Sequence, residues 1–401
     1  MVTEARMRLT NMNSASKCRS FVLMVVMATT LASMALAQIP DTLYSLGISA
    51  RGEGMGGAVT ALCYDASATV YNPAALAVIS KQQAMASLGA QPNVTTSLSG
   101  LASNPSTFNE TDAGNMGFNF AGVVIPFSQI MRGFGSGTLG ISFARIGHFL
   151  QTSSGVLTSE DSQSNANFTR KERKEINTDL ITIAFGFPLE RSHKLNLGIG
   201  AVVGQQRFNF SSSDILDPND STFNSSSSNT ATGTGIGGII GILAPGARMT
   251  WGACYRSQIS LTGHGQFSDF TKEMPARLAG GVAYQISRFG KPDEGSGSDL
   301  IGAVDVEHFF EANSGAEDQR KAVTNVHVGV EYTLYMNKMV VPIRAGYRTN
   351  RAAGGATFED QSEYILGVGY RPLSDQFAVD FALGVSGDVV DTSILSLNYK
   401  F

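Results

Sequence analysis

The stretch that decides the fold is Asn325-Val326-His327-Val328-Gly329-Val330-Glu331-Tyr332-Thr333-Leu334, in which apolar residues alternate with polar or small ones. Successive side chains of a β-strand point to opposite faces of the sheet, so this stretch predicts a strand with one apolar and one polar face. Similar alternation occurs at 341–348, 364–371, 377–384 and 395–401. The pattern indicates an all-β protein built from strands with two unlike faces.

The composition differs from that of a soluble protein. Charged residues make up 15% of the chain and glycine 44 of its 401 positions, whereas soluble domains have about 25% charged residues and about 7% glycine. The net charge of −4 offers no basic excess for a nucleic-acid interface. Cys18, Cys63 and Cys254 have neither the spacing of a metal site nor the number for a disulfide framework. We therefore expect no nucleic-acid partner and no cysteine scaffold.

The first residues have the three parts of a secretory signal peptide. Lys17 and Arg19 precede an apolar run at 21–31, and the stretch ends Ala35-Leu36-Ala37. The alternative is a membrane anchor, but the run is shorter than the ~20 residues that span a bilayer as a helix. We predict that residues 1–37 are a cleaved signal peptide and that the protein is exported.

The rest of the chain predicts a membrane barrel. Beyond the signal peptide no window of 18 consecutive apolar residues occurs, which excludes a helical span. Candidate strands, each long enough for the roughly 9 to 11 tilted residues that cross a bilayer, lie at 83–97, 115–126, 137–150, 177–188, 194–210, 230–244, 247–262, 274–287, 298–310, 322–336, 338–349, 361–371, 375–386 and 391–401. The connections after odd-numbered strands are generally longer than those after even-numbered strands, as in outer-membrane barrels.

We therefore predict a transmembrane antiparallel β-barrel of about 14 strands over residues 83–401. Its longer loops face the outside, and both chain ends lie on the periplasmic side. The alternative is a soluble β-sandwich, because alternation alone does not distinguish the two architectures. Residues 38–82 precede the first strand and are too long for a simple tail, so we predict that they form a plug, or hatch, in the mouth of the barrel.

The polar face of each strand is predicted to line the barrel interior. Eight side chains project inward by this rule: Asp305, Glu307, Asn325, His327, Glu331, Arg344, Arg348 and Asp380. Opposite charges in a narrow lumen favour a network that fills or rigidifies it, and a direct role in substrate contact is the alternative. The five histidines show no paired spacing for a metal ion. We assign no catalytic residue, metal site or cofactor, and expect that the protein is not an enzyme.

Two glycine patterns, at 52–57 and 233–238, match G-x-G-x-x-G. This motif binds a pyrophosphate only where a strand leads through it into a helix, within a βαβ unit. Neither copy has that context, and the second lies inside a predicted strand. We therefore do not interpret either pattern as a nucleotide site.

The segment before the first strand carries a family resemblance. Gly54-Met55-Gly56-Gly57-Ala58, Asp65-Ala66-Ser67-Ala68 and Asn72-Pro73-Ala74-Ala75-Leu76-Ala77 together resemble the hatch of the FadL/TodX-type outer-membrane transport family. The stretches 343–348 and 396–401 also look similar to the family's last strands, and fourteen is the family's number of strands. The resemblance implies hatch or gating positions at Gly54, Met55, Gly56, Gly57, Asp65, Asn72, Pro73 and Ala74.

The resemblance also implies a function. A member of the family takes up hydrophobic compounds passively, such as long-chain fatty acids or aromatic hydrocarbons, moves them past the hatch and releases them sideways through a gap in the wall. Pro126 and Pro342 each remove a hydrogen-bond donor from the strand ladder and are candidates for that gap. The implied location is the bacterial outer membrane.

The same hatch motif occurs in PorV and PorQ, barrel subunits of a secretion system that attaches cargo to the cell surface. A secretion or surface-attachment scaffold is therefore the alternative function, with the charge cluster at 170–175 as the contact for secretion-system proteins. Under either function we expect contact with outer-membrane lipid and with the barrel-assembly machinery through the C-terminal Phe401. A hydrophobic small-molecule ligand is expected for the transporter.

Overall fold

The computed structural model describes residues 47–101, 104–127, 137–158, 167–189, 194–215, 225–265, 270–291, 296–313, 319–320, 322–350, 361–386 and 389–401. The predicted signal peptide at 1–37 lies outside the described residues. The strands are β1 (Gln83–Leu101), β2 (Asn104–Pro126), β3 (Thr138–Thr158), β4 (Asn167–Pro188), β5 (Asn196–Ile215), β6 (Ser225–Pro245), β7 (Met249–Arg256), β8 (Ile259–Gly265), β9 (Phe270–Met274), β10 (Arg277–Lys291), β11 (Ser296–Phe309), β12 (Ala312–Asn313), β13 (Gln319–Arg320), β14 (Val323–Met336), β15 (Met339–Asn350), β16 (Gln361–Pro372), β17 (Phe377–Ser386) and β18 (Val389–Lys400).

The strands close into a cylinder. Fourteen of them follow one another around it as antiparallel neighbours: β1 to β7, β10, β11 and β14 to β18. The last strand pairs with the first, from Gln83 opposite Lys400 to Gly89 opposite Ile394. β8 and β9 continue β7 and β10 beyond short interruptions, while β12 and β13 form a separate hairpin. The predicted all-β barrel of 14 strands is confirmed.

Burial along the strands is the reverse of that in a soluble protein. On β14 the side chains of Val328 and Val330 are exposed, whereas those of His327 and Glu331 are buried. A soluble sandwich would turn the apolar face inward, away from water. An apolar outer face is stable against lipid, where a strand can lie only if its backbone polar groups are all paired around a closed barrel. This pattern excludes the sandwich.

Several predicted connections are wrong in length. The strands continue well into 98–114, 151–176 and 211–229, and only residues 102–103 separate β1 from β2. These extensions are rich in serine, threonine and charged residues, so they lack the apolar period by which a strand is recognised. Strand pairing continues there because it joins backbone N–H and C=O groups, which every residue but proline carries, and does not require an apolar face.

The wall is irregular between β2 and β3. Their ladder runs from Phe120 opposite Ala144 to Pro126 opposite Thr138, and beyond it β1 pairs with β3 in parallel. Pro126 thus keeps its place in the ladder. At Pro342 the pairing of β15 with β16 is interrupted between Val340 and Ile343, while Pro342 stays opposite Thr333 in the ladder with β14. A lateral gap at either proline stays a prediction.

The chain before β1 forms α1 (Ala50–Gly54), α2 (Ala68–Tyr71) and a 3₁₀ helix (Pro73–Val78). The Ser49 side chain caps α1 by accepting from the Gly52 N–H, and Pro73 starts the 3₁₀ helix, where its missing N–H costs nothing. None of the helices in the described part of the chain is long and apolar enough to cross a membrane. Helices this short are unstable alone, so their conformation depends on the surrounding wall.

Residues 47–82, hereafter the N-terminal segment, contact strands around the circumference. α1 packs on β15 to β18, and the 3₁₀ helix packs on β3 to β6. Most side chains of the segment are buried. The segment therefore lies inside the cylinder.

We predict that Ile183→Lys destabilises the protein. The Ile183 side chain is 52% exposed on the outer face of β4, and a lysine at that depth costs about 2–4 kcal/mol in lipid. The measurement is urea unfolding in lipid vesicles, followed by the fluorescence of Trp251, the one tryptophan of the chain. Ile183→Leu is the control and should unfold like the wild type; equal midpoints for the two variants would argue against a lipid-facing position.

Candidate functional site: the lumen and the N-terminal segment

The inward faces of β14, β15 and β17 carry a buried chain of ion pairs that reaches α1. Arg344 Nε lies 2.6 Å from Glu331 Oε2, and Arg344 Nη1 lies 2.7 Å from Asp380 Oδ1. Glu331 also receives Arg51 of α1, with Arg51 Nε 3.2 Å from Glu331 Oε2. The Arg344 side chain is fully buried. These contacts attach the N-terminal segment to the wall by charge-assisted hydrogen bonds.

A second ion-pair group centres on Arg348. Its Nη1 lies 2.7 Å from Glu53 Oε2 of α1, and its Nε lies 2.6 Å from Glu363 Oε2 of β16. Burial raises the pKa of the Glu53 carboxyl, while the nearby Arg348 guanidinium acts in the opposite direction. A single arginine therefore holds one carboxylate of the segment and one of the wall.

His327 binds the glycine turn that follows α1. Its Nδ1 donates to the carbonyl oxygen of Gly56 at 2.7 Å, and its Nε2 lies 3.4 Å from Glu307 Oε2. Glu307 in turn pairs with Arg277 of β10. Asp305 lies on β11, the strand that also carries Glu307, and its Oδ2 accepts a hydrogen bond from the Thr60 N–H at 2.7 Å. His327 and Asp305 thus hold the backbone of the segment at Gly56 and Thr60.

The glycine turn lies directly against strand backbones. A Cβ on Gly329 would lie 2.3 Å from the Met55 carbonyl oxygen, and one on Gly346 would lie 2.1 Å from the Gly56 nitrogen. Gly56 itself has φ +66°, in the left-handed region, and a Cβ there would lie 2.7 Å from the Tyr347 backbone. Glycine on both sides is what permits this close approach.

On the opposite side of the lumen, the Asn72-Pro73-Ala74 turn meets the wall. The Asn72 side chain donates to the carbonyl oxygens of Thr60 at 2.9 Å and Ile242 at 3.0 Å, and accepts from the Ala74 N–H at 3.1 Å. A Cβ on Gly198 of β5 would lie 2.2 Å from the Ala74 nitrogen. Asn72 therefore fixes the turn to the segment and to β6 at once.

Apolar contacts dominate this side of the lumen. Leu76 and Ala75 of the 3₁₀ helix belong to one buried cluster with inward-facing wall residues. Its wall members are Met85, Phe120, Val124, Ala144, Ile146, Leu180, Ala184, Val202, Ile239, Leu243, Cys254, Ile259, Leu261 and Met274. The ion pairs around the N-terminal segment thus lie on the β10 to β17 side, and the apolar cluster lies on the β1 to β9 side, where polar side chains such as Ser142, Thr182 and Gln206 are also buried.

The structure brings the sequence-predicted residues together in different ways. Of the eight predicted lumen residues, four touch the N-terminal segment directly: Asp305, His327, Glu331 and Arg348. Glu307, Arg344 and Asp380 support them, and Asn325 is buried on the same face. Asp65 stays within its own turn, accepting from the Ser67 N–H at 2.9 Å. Gly54 lies close to Arg344 and Gly367.

Four charged residues of the network lie outside the set predicted from the strand pattern: Arg51, Glu53, Arg277 and Glu363. Arg51 and Glu53 stand out as charges in a segment of small, apolar residues, and Glu363 lies on the polar face of its strand. These features can be read from the sequence. The ion-pair partners of these residues cannot, because pairing across the lumen depends on how the barrel closes.

The contacts in the lumen hold the N-terminal segment in place. His327 contacts a backbone carbonyl and a carboxylate, whereas nucleophilic catalysis needs a base beside a hydroxyl or thiol. In the stretches that the structure describes, no three His, Cys, Asp or Glu residues are grouped to hold a metal ion. The chemistry at hand is electrostatic attachment on one side and apolar packing on the other.

The chain is similar in fold to two solved proteins. A Pseudomonas aeruginosa FadL homologue matches with a TM-score of 0.55 at 14% identity, over 92% of this chain and 99% of that chain. The P. putida toluene transporter TodX matches with a TM-score of 0.56 at 13% identity, over 90% of this chain and 99% of that chain. No family model matches the sequence, and no curated protein does. The likeness confirms the FadL/TodX resemblance at the level of fold, and with the apolar outer face it indicates the outer membrane.

Removing the Arg348 cation should weaken the attachment of the N-terminal segment. Arg348→Met leaves Glu53 and Glu363 buried without their shared partner, and such a loss costs about 3 kcal/mol. Limited proteolysis of the detergent-solubilised protein should then cut within 47–82 much faster. Arg288→Met is the matched control, because the Arg288 side chain is 61% exposed in its pair with Asp299 and should contribute less than about 1 kcal/mol. Equal cleavage in both variants would contradict this role.

Gly56→Ala should displace the glycine turn without disrupting the barrel. A residue with a Cβ in the left-handed conformation costs about 1–2 kcal/mol, and the added methyl would also meet the Tyr347 backbone. Hydrogen exchange at residues 50–60 should become faster while the strands stay protected. Gly280→Ala is the control, since nothing lies within 4 Å of a Cβ there; unchanged exchange in Gly56→Ala would count against tight docking of the turn.

Proposed function

We propose that the protein mediates passive, ligand-gated uptake of hydrophobic compounds across the outer membrane. The observation that carries this proposal is the buried apolar cluster on β1 to β9, to which Leu76 of the N-terminal segment belongs. A channel for polar solutes has a polar, water-filled lumen. In this proposal residues 38–82 are the hatch of a barrel formed by 83–401, and residues 1–37 are removed on export.

The different contacts on the two sides of the lumen support a proposal for which side opens. Separating Arg348 from Glu53 leaves buried charges unpaired, which is costly. On the other side an apolar compound can replace the contacts of Leu76 and Ala75 with contacts of its own, at little cost. We infer that the ligand passes between the 3₁₀ helix and strands β3 to β6, while Gly54, Met55, Gly56 and Gly57 stay attached to the wall. Asn72, Pro73 and Ala74 then form the part that moves.

The exit in this proposal is lateral. The ladder between β2 and β3 ends at Phe120 and Ala144, which supports an opening of the wall at that level. Release into the membrane avoids transfer of the compound into water. The free energy of that transfer is unfavourable by about 0.8 kcal/mol for each CH₂ group. Long-chain fatty acids and aromatic hydrocarbons are the ligand classes that gain from such a route.

The test measures uptake of radiolabelled oleate and toluene by cells whose own channel of this kind is deleted. Expression of the protein should speed uptake of at least one compound over cells that carry an empty vector. Asn72→Ala removes the tether to Thr60 and Ile242 and should raise the rate about fivefold, since a net hydrogen bond contributes about 1 kcal/mol. The variant should still form a folded barrel.

Asn209→Ala is the matched control. It makes the same substitution in β5, outside the N-terminal segment, and should leave the uptake rate unchanged. If the wild-type chain takes up neither compound faster than the empty vector, the proposed function is rejected. If Asn72→Ala and Asn209→Ala behave alike, uptake does not depend on the hatch.

A surface-attachment scaffold is the second candidate. The observation in its favour is that β4 extends through Asn167–Glu175, where the charge cluster forms a ladder with β3 and β5 and Arg170 pairs with Asp214 at 2.8 Å. An ordered charged sheet offers a protein a firmer contact than a loop would. Under this candidate, replacing Lys171 and Arg173 by alanine abolishes co-purification of a protein partner and leaves oleate and toluene uptake unchanged.

A further inference from the structure

The outer face of three neighbouring strands, β3 to β5, changes from apolar to polar at one level. On β4 the outward side chains of 181–189 are apolar, and Ile181, the last of them, is 49% exposed. That stretch is close in length to the roughly 9 to 11 residues with which a tilted strand crosses a bilayer. The next outward residue is Asp179, which lies opposite Arg145 of β3 and Gln205 of β5. These three residues mark the boundary of the lipid-facing band on the side away from the paired ends of β1 and β18.

Beyond this boundary the outward face carries more positive than negative charge. In the described part of the three strands, its charged side chains are Arg145, Arg173, Arg207, Lys171, Asp179 and Glu175. Asp179 accepts from Arg145 Nε at 2.8 Å. Glu175 accepts from Arg173 Nη2 at 3.1 Å. Arg207 donates to the neutral Gln205 side chain at 2.9 Å, and Lys171 is exposed. Four cations against two carboxylates leave the face with an excess of two positive charges.

The positive side chains form a column that starts at the boundary. Successive outward residues of a strand are about 6.6 Å apart, because each residue advances the strand by about 3.3 Å. Arg207 lies one outward position beyond the boundary, opposite Asn177, and Lys171 lies four positions beyond it. The column therefore extends about 26 Å along the strands, and it can meet several acidic groups in a row.

The charge cluster at 170–175 contributes only half of its residues to this face. Its odd-numbered residues, Lys171, Arg173 and Glu175, share the outward face of Ile181, since side chains alternate along a strand. Its even-numbered residues face the other way. The outward half is basic, with two cations and one carboxylate.

The position of the column favours a lipid as the occupant. A lipid whose acyl chains lie on Ile181 and Ile183 has its headgroup at the level of Arg145 and Arg207, where basic residues attract anionic lipids. Arginine suits a phosphate there, because its planar fork donates two parallel hydrogen bonds to phosphate oxygens. A protein partner would have to displace the headgroups to reach these two arginines.

We propose that the outer face of β3 to β5 binds the phosphorylated headgroup of a lipid in the outer leaflet. The acyl chains lie against Ile181 and the apolar side chains that follow it toward the other rim. Arg145 and Arg207 bind the phosphate nearest the boundary. Lys171 and Arg173 meet acidic groups farther out. The site needs neither uptake nor a protein partner, so it is independent of the function proposed above.

The test measures lipid binding to the full chain, immobilised through a tag in a non-ionic detergent. The probe is radiolabelled diphosphoryl lipid A, and the comparison lipid is the same molecule after removal of its phosphates by a phosphatase. The wild type should bind the phosphorylated lipid about tenfold more tightly, since each hydrogen bond to a charged group contributes about 1.5 kcal/mol.

Lys171→Gln with Arg207→Gln removes the two excess charges and leaves both ion pairs intact. The double variant should bind the phosphorylated lipid about 25-fold more weakly, because each basic residue near an anionic surface contributes about a factor of five. Arg145 is kept, since its removal would leave Asp179 as a buried charge without its partner. If the double variant fails to fold, as judged by heat-dependent migration in gels, Arg207→Gln alone takes its place, with an expected loss of about fivefold.

Lys194→Gln with Lys338→Gln is the matched control. It removes the same charge from two exposed positions at the opposite rim of the barrel, in the connections after β4 and β14. The affinity for the phosphorylated lipid should stay that of the wild type.

A double variant that binds the phosphorylated lipid as tightly as the control overturns the site. Equal binding of the two lipids by the wild type also overturns it, because acyl chains alone would then hold the lipid. Loss of a co-purified protein from the double variant, with lipid binding kept, assigns the face to a protein and overturns the site as well. Weaker lipid binding by the double variant supports the site even where the wild type takes up neither oleate nor toluene, a result that rejects only the proposed function.

Discussion

The rest of the structure depends on one constraint: in lipid, a backbone N–H or C=O has no partner but another backbone group. Strands satisfy that constraint only when the last one pairs with the first, as Gln83 does with Lys400. Closure then turns the apolar faces outward to lipid and the polar faces into a space that the chain itself must fill. The buried charges and the internal segment both follow from this.

Two kinds of contact fill the lumen, and they differ in how easily they can be exchanged. Ion pairs such as Arg348 with Glu53 resist separation, because each partner would be left as a buried charge. Apolar contacts such as those of Leu76 are exchangeable, because another apolar surface serves equally well. The N-terminal segment is held by ion pairs along one side and by apolar contacts along the other, and the proposed function rests on this difference.

Glycine has a specific purpose in this barrel. At Gly329 and Gly346 the missing side chain lets a turn of the N-terminal segment rest on the strand backbone, and at Gly235 it lets the Ser260 carbonyl oxygen of β8 lie close to β6. Each of these positions faces the lumen. The high glycine content thus reflects an interior crowded by the chain's own backbone more than a need for flexible turns.

The sequence by itself determined the all-β class, the fourteen strands and the inward set from Asp305 to Asp380, because the side-chain period of a strand is local and needs no knowledge of partners. Only the tertiary structure decided that Arg51 meets Glu331, that Glu53 meets Arg348, and that Ser260 lies against Gly235. Those contacts join residues far apart in the chain, and barrel closure and strand register set which of them face each other. The strand extensions at 98–114 and 151–176 were likewise visible only in the structure. Both of their faces are polar, so the sequence there has no apolar alternation that would predict a strand.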